Sequence, residues 1–540
     1  MINTVYELIT NVMAKQYPDR VAFRYVAADG KTVVEKTYAQ YVQDIRRAVT
    51  YFKENIPDIK GKRVGIMSRN CYEYGVNSFG AILAGAVVVT INQKKTWPEL
   101  EYELGLAEPS LIVNDGIDYG CRPDIEAAYG DKLRPMDAFK DSAPAELVDC
   151  VGHDDLMVLM FTSGTTGRSK AVMLSEHNFF TTVECQVKFG DAMLDYKHEH
   201  MPEDKNDVLS NFAILPLFHL GTFICLFVWA CKGWALNLSA DIRDFYRDLG
   251  LMHSDAIAVA PMLMEAIYKD VKRGRRARLN GVWNPCGSSA MFDGAMLAEL
   301  AQQGMMITQV YGMTETCGDG IINYEQDEKH IRAVGKPDDH AEYKLDETGE
   351  ICIRGGCVML GYYKDPEATA EVLDADGWFH TGDLARVDED GFYYITGRKK
   401  NIIILDNGEN VSPEELENLL SKCEAVKECI VREKGKKICA VIYCGEADQQ
   451  TVRDFITETN RTLPLYKRMS AVEFSTEPLP APAPASCCAS KNKPGRLRNT
   501  GKELQPPLME LRKEDSNYGK NRDRVPDPCN SGRCCRNFPR

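Results

Sequence analysis

The chain has 540 residues, 44% of them hydrophobic, and a formal net charge of −14 at pH 7. That length implies roughly three to four folding units, the apolar content supports substantial cores, and the acidic balance argues against general nucleic-acid binding. Residues 1–20 lack the apolar stretch of a secretory signal. The longest apolar run, 223–231, falls far short of the ~20 residues that a membrane span needs. The 19 cysteines show no paired CxxC spacing, which fits reduced thiols in a cytoplasmic protein better than a disulfide framework or a zinc site.

In chain order, residues 20–24 begin an amphipathic stretch leading to a helix over 38–52. Apolar runs at 63–67, 86–91, 110–113, 156–161, 212–215, 256–260 and 306–310 read as strands separated by longer helical segments. This alternation predicts α/β layers with largely parallel sheets, which bind ligands at the carboxyl ends of their strands. Two motifs fall directly after such runs. Thr162-Ser163-Gly164-Thr165-Thr166-Gly167-Arg168-Ser169-Lys170 combines hydroxyl donors, glycine-freed backbone N–H groups and a cation, the equipment for a polyphosphate. Its lysine stands three residues after Gly167 and is followed by Ala171, so it is not a Walker A loop. The second is Tyr311-Gly312-Met313-Thr314-Glu315.

From about Gly349 strands shorten, at 350–354 and 391–396. A charged junction, Gly397-Arg398-Lys399-Lys400-Asn401, precedes a strand at 402–405. Ser412 then reads as an N-cap, with Pro413 at the first helical position and Glu415 closing a capping box. A strand at 440–443 and a helix at 451–460 complete a small α+β unit. Residues 481–540 hold thirteen Lys/Arg against six Asp/Glu, with eight prolines and five cysteines. Such a segment cannot bury enough surface to offset its ordering entropy and is expected to be disordered.

Six separated motifs resemble the adenylate-forming (AMP-binding) superfamily of acyl-CoA synthetases, luciferases and peptide-synthetase adenylation domains: 162–170, Pro216-Leu217-Phe218-His219, Gly287-Ser288-Ser289-Ala290, 311–315, Thr381-Gly382-Asp383, and 397–400 followed by Gly408-Glu409-Asn410-Val411. The resemblance covers roughly residues 1–480. It implies an N-terminal domain (1–397) of two sheets flanked by helices plus a distorted barrel, a small mobile α+β domain (398–480), and the tail. The implied chemistry is attack of a carboxylate on MgATP to give acyl-AMP and pyrophosphate, then transfer to coenzyme A. By motif, the resemblance implies a phosphate cradle of Thr162, Ser163, Gly164, Thr165, Thr166, Gly167 and Lys170, with Thr162 and Glu315 for Mg²⁺. Around adenine it implies Tyr311 and, on the other face, Gly287, Ser288 and Ser289, with Gly312 and Thr314 also binding the nucleotide. Asp383 and Arg398 would serve the ribose or phosphate, Lys400 the hinge, and Gly408, Glu409 and Asn410 coenzyme A. Lys170, Glu315 and His219 are the implied catalytic groups, although His219 alone is equally a core histidine.

Phe218-His219-Leu220 offers no aspartate for an ammonium, and apolar 223–229 follows, so an uncharged, medium- or long-chain acid is expected over an amino acid. The chain departs from the family at Ser169 (usually Pro) and Ala171 (usually Gly). Residues 481–490 carry no lysine where the family ends in a catalytic one; Thr500-Gly501-Lys502 resembles that motif about fifteen residues late. A frame shift after Pro480 or a diverged tail would explain this. An adenylation-impaired acyl-adenylate-binding protein therefore stands beside the synthetase, as does an aryl-CoA or acyl-carrier-protein ligase. The expected partners are small molecules, with no nucleic acid and only peripheral contact with a membrane.

Overall fold

The computed structural model describes residues 2–162, 168–288, 292–318, 320–405, 410–435 and 437–479. The expected disorder of 481–540 concerns residues outside this set. The architecture is α/β, with two large sheets and three smaller ones, of which the one formed by Glu428–Lys434, Lys437–Tyr443 and Ala471–Ser475 is mixed. In the first, the strands run Lys336–Pro337, Gly320–Asn323, Thr308–Gly312, Asn284–Ser288, Ala256–Val259, Ser210–Ala213, Ala235–Leu238, Val21–Val26 and Val33–Thr37. The six from Thr308–Gly312 to Val21–Val26 are parallel. The second sheet runs Gly361–Tyr362, Lys170–Ser175, Leu156–Thr162, Val87–Thr90, Arg63–Met67, Leu111–Asn114 and Leu133–Pro135. Val87–Thr90, Leu111–Asn114, Ser210–Ala213 and Ala235–Leu238 are buried along their whole length, as strands covered on both faces must be.

The expected lead-in at 20–24 is instead part of the Val21–Val26 strand, which pairs with Ala235–Leu238 and Val33–Thr37; alternating neighbours in the sheet override the local helical spacing. The following helix, Tyr38–Asn55, is opened by a reciprocal cap between Thr37 and Gln40. It buries Tyr38, Tyr41, Val42, Ile45, Ala48, Val49 and Phe52, a three-to-four spacing that makes one apolar face. That face meets the Tyr72–Leu83 helix at Gly80, where a Cβ would lie 2.4 Å from that of Ala48.

A four-stranded antiparallel sheet follows: Ala341–Leu345, Glu350–Gly355, Phe379–Val387 and Tyr393–Arg398. Beyond it, Glu428–Lys434, Lys437–Tyr443 and Ala471–Ser475 form a sheet against the helices Pro413–Leu420 and Gln449–Thr462, around a core that includes Leu416, Val431, Ile442, Val452 and Ile456. Ser412 caps Pro413–Leu420, its Oγ accepting from the Glu415 amide at 3.4 Å. The expected return bond from Glu415 is replaced by an ion pair with Lys467 at 2.7 Å, because a cation is a stronger partner for a carboxylate than one backbone N–H.

Candidate active site

The Leu156–Thr162 and Lys170–Ser175 strands are antiparallel neighbours that place Thr162 opposite Lys170; residues 163–167 lie outside the described set. Lys170 Nζ stands 4.5 Å from the ring centroid of Tyr362, a cation–π distance. Tyr362 is buried and donates its hydroxyl to Glu315 Oε1 at 2.9 Å. It sits there because Gly361–Tyr362 adds an edge strand to Lys170–Ser175, with Tyr362 opposite Val172. Just before that strand, the Met359 amide donates to the Glu315 carbonyl at 2.8 Å. One short segment therefore holds Glu315 by backbone and side chain and holds Lys170 by its ring.

Tyr311 lies one residue before the end of the Thr308–Gly312 strand, and its hydroxyl donates to Asp383 Oδ2 at 3.0 Å. Arg398 Nε meets Asp383 Oδ1 at 2.7 Å, because Asp383 and Arg398 are cross-strand partners. Burial raises the pKa of Asp383, while the Arg398 charge and the Tyr311 hydroxyl lower it again; Glu315 is near enough to add to the rise. These contacts link Lys170, Tyr362, Glu315, Asp383, Tyr311 and Arg398 into one region. Gly382 has φ +72°, a conformation suited to glycine, and its amide donates to Glu350 Oε1 at 2.7 Å. Glu350 Oε2 in turn takes Lys399 Nζ at 2.6 Å.

His219 follows the Ser210–Ala213 strand and precedes the Leu220–Phe223 turn of helix. Its ring is exposed yet recessed: surrounding protein lowers its pKa by desolvation, and the Lys95 charge lowers it further. Gly287 is paired with Gln309, two residues before Tyr311. A Cβ at Gly287 would lie 2.4 Å from the Phe292 ring, so the space expected to admit a flat base at this residue is filled by Phe292. Ser288 is placed only by its backbone, opposite Val310, and Ser289 lies outside the described residues. Gly312 pairs with Gly320, and Thr314 opens the short helical turn that carries Glu315. Lys400 is exposed within the turn Lys399–Asn401. Gly408 and Glu409 lie outside the described residues, and Asn410 is seen only as a backbone partner of Ile404.

Sequence reasoning missed Tyr362, Glu350 and Lys95. Tyr362 carries no motif by itself. Lys95, however, lies just past the carboxyl end of Val87–Thr90, where the rule for parallel sheets already points. Among the described residues, no helix is long and apolar enough to cross a membrane.

The family model described as AMP-binding enzyme matches residues 11–363. The chain is 28% identical to 4-coumarate–CoA ligase 3 from Oryza sativa subsp. japonica, over 85% of this chain and 87% of that protein. It is 27% identical to a long-chain-fatty-acid–CoA ligase from Salmonella typhimurium, over 86% of this chain and 90% of that one. In structure it resembles O-succinylbenzoate coenzyme A synthetase from Bacillus subtilis in complex with AMP, with a TM-score of 0.73 at 22% identity, covering 89% of this chain and 96% of that one. ATP-bound MatB from Rhodopseudomonas palustris gives a TM-score of 0.72 at 24% identity, covering 88% and 95%. With the family model spanning well over half of its length, the chain belongs to the AMP-binding enzyme family.

Proposed function

We propose that this enzyme converts a medium- or long-chain fatty acid, MgATP and coenzyme A into acyl-CoA, AMP and pyrophosphate through acyl-AMP. The observation that carries the reading is the joined cluster of Tyr311, Asp383 and Arg398 within electrostatic reach of Glu315, whose partner Tyr362 lies against Lys170. The similarity to CoA ligases of several acids supports the reaction class. The apolar 223–229 segment and the absence of an acid at 218–220 support an uncharged chain.

In this reading the 162–170 loop and Lys170 neutralise the polyphosphate, and preorganised donors stabilise the charge that leaves with pyrophosphate. Asp383 accepts the ribose hydroxyls: a carboxylate has about four acceptor positions, and Tyr311 and Arg398 occupy two of them. Tyr311 stacks on the base, with Gly312, Thr314, Ser288 and Ser289 around it. Thr162 and Glu315 are hard oxygen donors of the kind Mg²⁺ takes, and the bound ion would neutralise phosphate charge. His219 stands beside the acid. Residues 1–397 form the adenylation domain, and 398–480 turn about Lys400 to present Gly408, Glu409 and Asn410 to coenzyme A.

Acid-dependent ATP–pyrophosphate exchange over acids from butyrate to stearate tests this, with aryl acids alongside. The expected result is a maximum among medium or long chains. Turnover of aryl acids alone would favour the aryl-CoA reading. Thioester formed from supplied acyl-AMP, with none from ATP plus acid, would favour the adenylation-impaired protein.

A further inference from the structure

We propose that Lys95 is a further catalytic cation of this enzyme, presented to the oxyanions that meet when the acid attacks the nucleotide; the inference rests on the adenylation reading above. Lys95 lies in the loop leaving Val87–Thr90, which is the parallel neighbour of Leu156–Thr162, with Thr90 opposite Met160. Two adjacent parallel strands of one sheet therefore bring Lys95 and Thr162 to the same end. Lys95 Nζ donates to Ser169 Oγ at 3.2 Å, one residue before Lys170. Thr90 Oγ1 donates to the Phe218 carbonyl at 3.2 Å, which ties the base of the same loop to the residue before His219. The Lys95 charge reaches that histidine, where it helps to lower the pKa. Lys95 is thus shared by the two segments that flank the reacting groups.

Lys95 is anchored from behind by an ion pair with Glu103. The Glu103 side chain is 1% exposed and that of Lys95 19%, so the carboxylate is sealed in while the lysine side chain keeps partial access to solvent. Glu103 Oε2 has no hydrogen-bond partner. A pair of apolar residues of similar volume would serve packing as well or better. A fixed cation beside Ser169 and one residue from Lys170 gives this costly arrangement a purpose, because a group already held in place needs no reorganisation when charge develops. In the reaction a carboxylate oxygen bonds to the α-phosphorus, and the bond from that phosphorus to the oxygen bridging the α- and β-phosphates breaks, its electron pair leaving on that oxygen with pyrophosphate. No proton or electron acceptor is required. The burden is charge alone, which an ammonium relieves.

The test uses the full chain and the variants Lys95→Met, Lys95→Arg and Lys95→Met/Glu103→Leu, the last removing the buried carboxylate together with its partner so that folding is preserved. Both methionine variants are expected to lose acid-dependent exchange by about 10²–10³-fold. Thioester formation from supplied acyl-AMP and coenzyme A should stay within about threefold of the parent, and arginine should restore part of the exchange. Exchange within about threefold of the parent in the double variant overturns the proposal, as does an equal loss in both half-reactions. Calorimetry with MgATP reads Lys95 apart from turnover: binding by the double variant should weaken about tenfold or more, and unchanged affinity overturns the proposal. A parent that binds MgATP yet exchanges with no acid would sink the adenylation reading instead.

Discussion

Asp383 and Glu176 are both buried carboxyls, and their partners make them different groups. Asp383 has a guanidinium on one oxygen and a phenol on the other, which oppose the effect of burial, and its pKa stays raised on balance. Glu176 has the Val5 amide at 2.7 Å on one oxygen and no hydrogen-bond partner on the other. Burial is the main reason that its pKa rises to about 7. A carboxyl whose pKa is higher folded than unfolded stabilises the fold in full below its ordinary range, and that contribution is lost as pH rises through the folded value. The parent should therefore lose stability between about pH 4.5 and pH 7, by at most about 3 kcal/mol. Glu176→Gln, which cannot ionise, should melt like the parent at the acid end and above it at the alkaline end. Parallel melting curves for the two proteins at both pH values would show that Glu176 does not titrate in this window.

Among the elements, the two-residue strand Gly361–Tyr362 has the largest influence for its length. It extends the Lys170–Ser175 strand, and its one large side chain joins Glu315 to Lys170. Tyr362→Phe keeps the ring beneath the ammonium and removes the donor to Glu315. Its expected effects are a stability loss of about 1 kcal/mol and a higher Mg²⁺ requirement for pyrophosphate exchange, because a carboxylate no longer oriented binds a hard cation less well. Tyr362→Leu also removes the cation–π contact and should weaken MgATP binding further, by roughly 0.5–1 kcal/mol. A Mg²⁺ titration of exchange that superposes for Tyr362→Phe and the parent would leave the tyrosine a packing residue only.

Over the whole molecule, the two large sheets carry their loops at the carboxyl ends of parallel strands, and the antiparallel sheet supplies Asp383 and Arg398 from adjacent strands. The chain runs on through Lys399, anchored to Glu350 and Asp346 at 2.6 and 3.3 Å, to the exposed Lys400. If residues 398–480 turn about Lys400 between half-reactions, a proline there should impede the turn, since it fixes φ and restricts the residue before it. Lys400→Pro should slow one half-reaction by about tenfold or more, roughly 1.4 kcal/mol in barrier, while melting stays near that of the parent. Parental rates for both acid-dependent exchange and thioester formation from acyl-AMP would remove the pivot.

The linear chain by itself determined the strands at 63–67 and 156–161, the cap at Ser412 and the order of the motifs, because hydrophobic period, capping chemistry and glycine placement act over a few residues. It marked Thr162, Lys170, Tyr311, Glu315, Asp383 and Arg398 as candidate site residues through the resemblance of their short motifs to the adenylate-forming superfamily. It misread residues 20–24, whose strand form depends on Ala235–Leu238, more than two hundred residues away. It could not show that Phe292 fills the space beside Gly287, that Glu415 turns from its own helix cap to Lys467, or that Tyr362 and Lys95 join the motif residues. Those outcomes were decided by the tertiary structure, since an ion pair, a ring contact or a buried carboxyl takes its energy from whichever partners the fold brings within a few ångströms, and sequence distance carries no record of them.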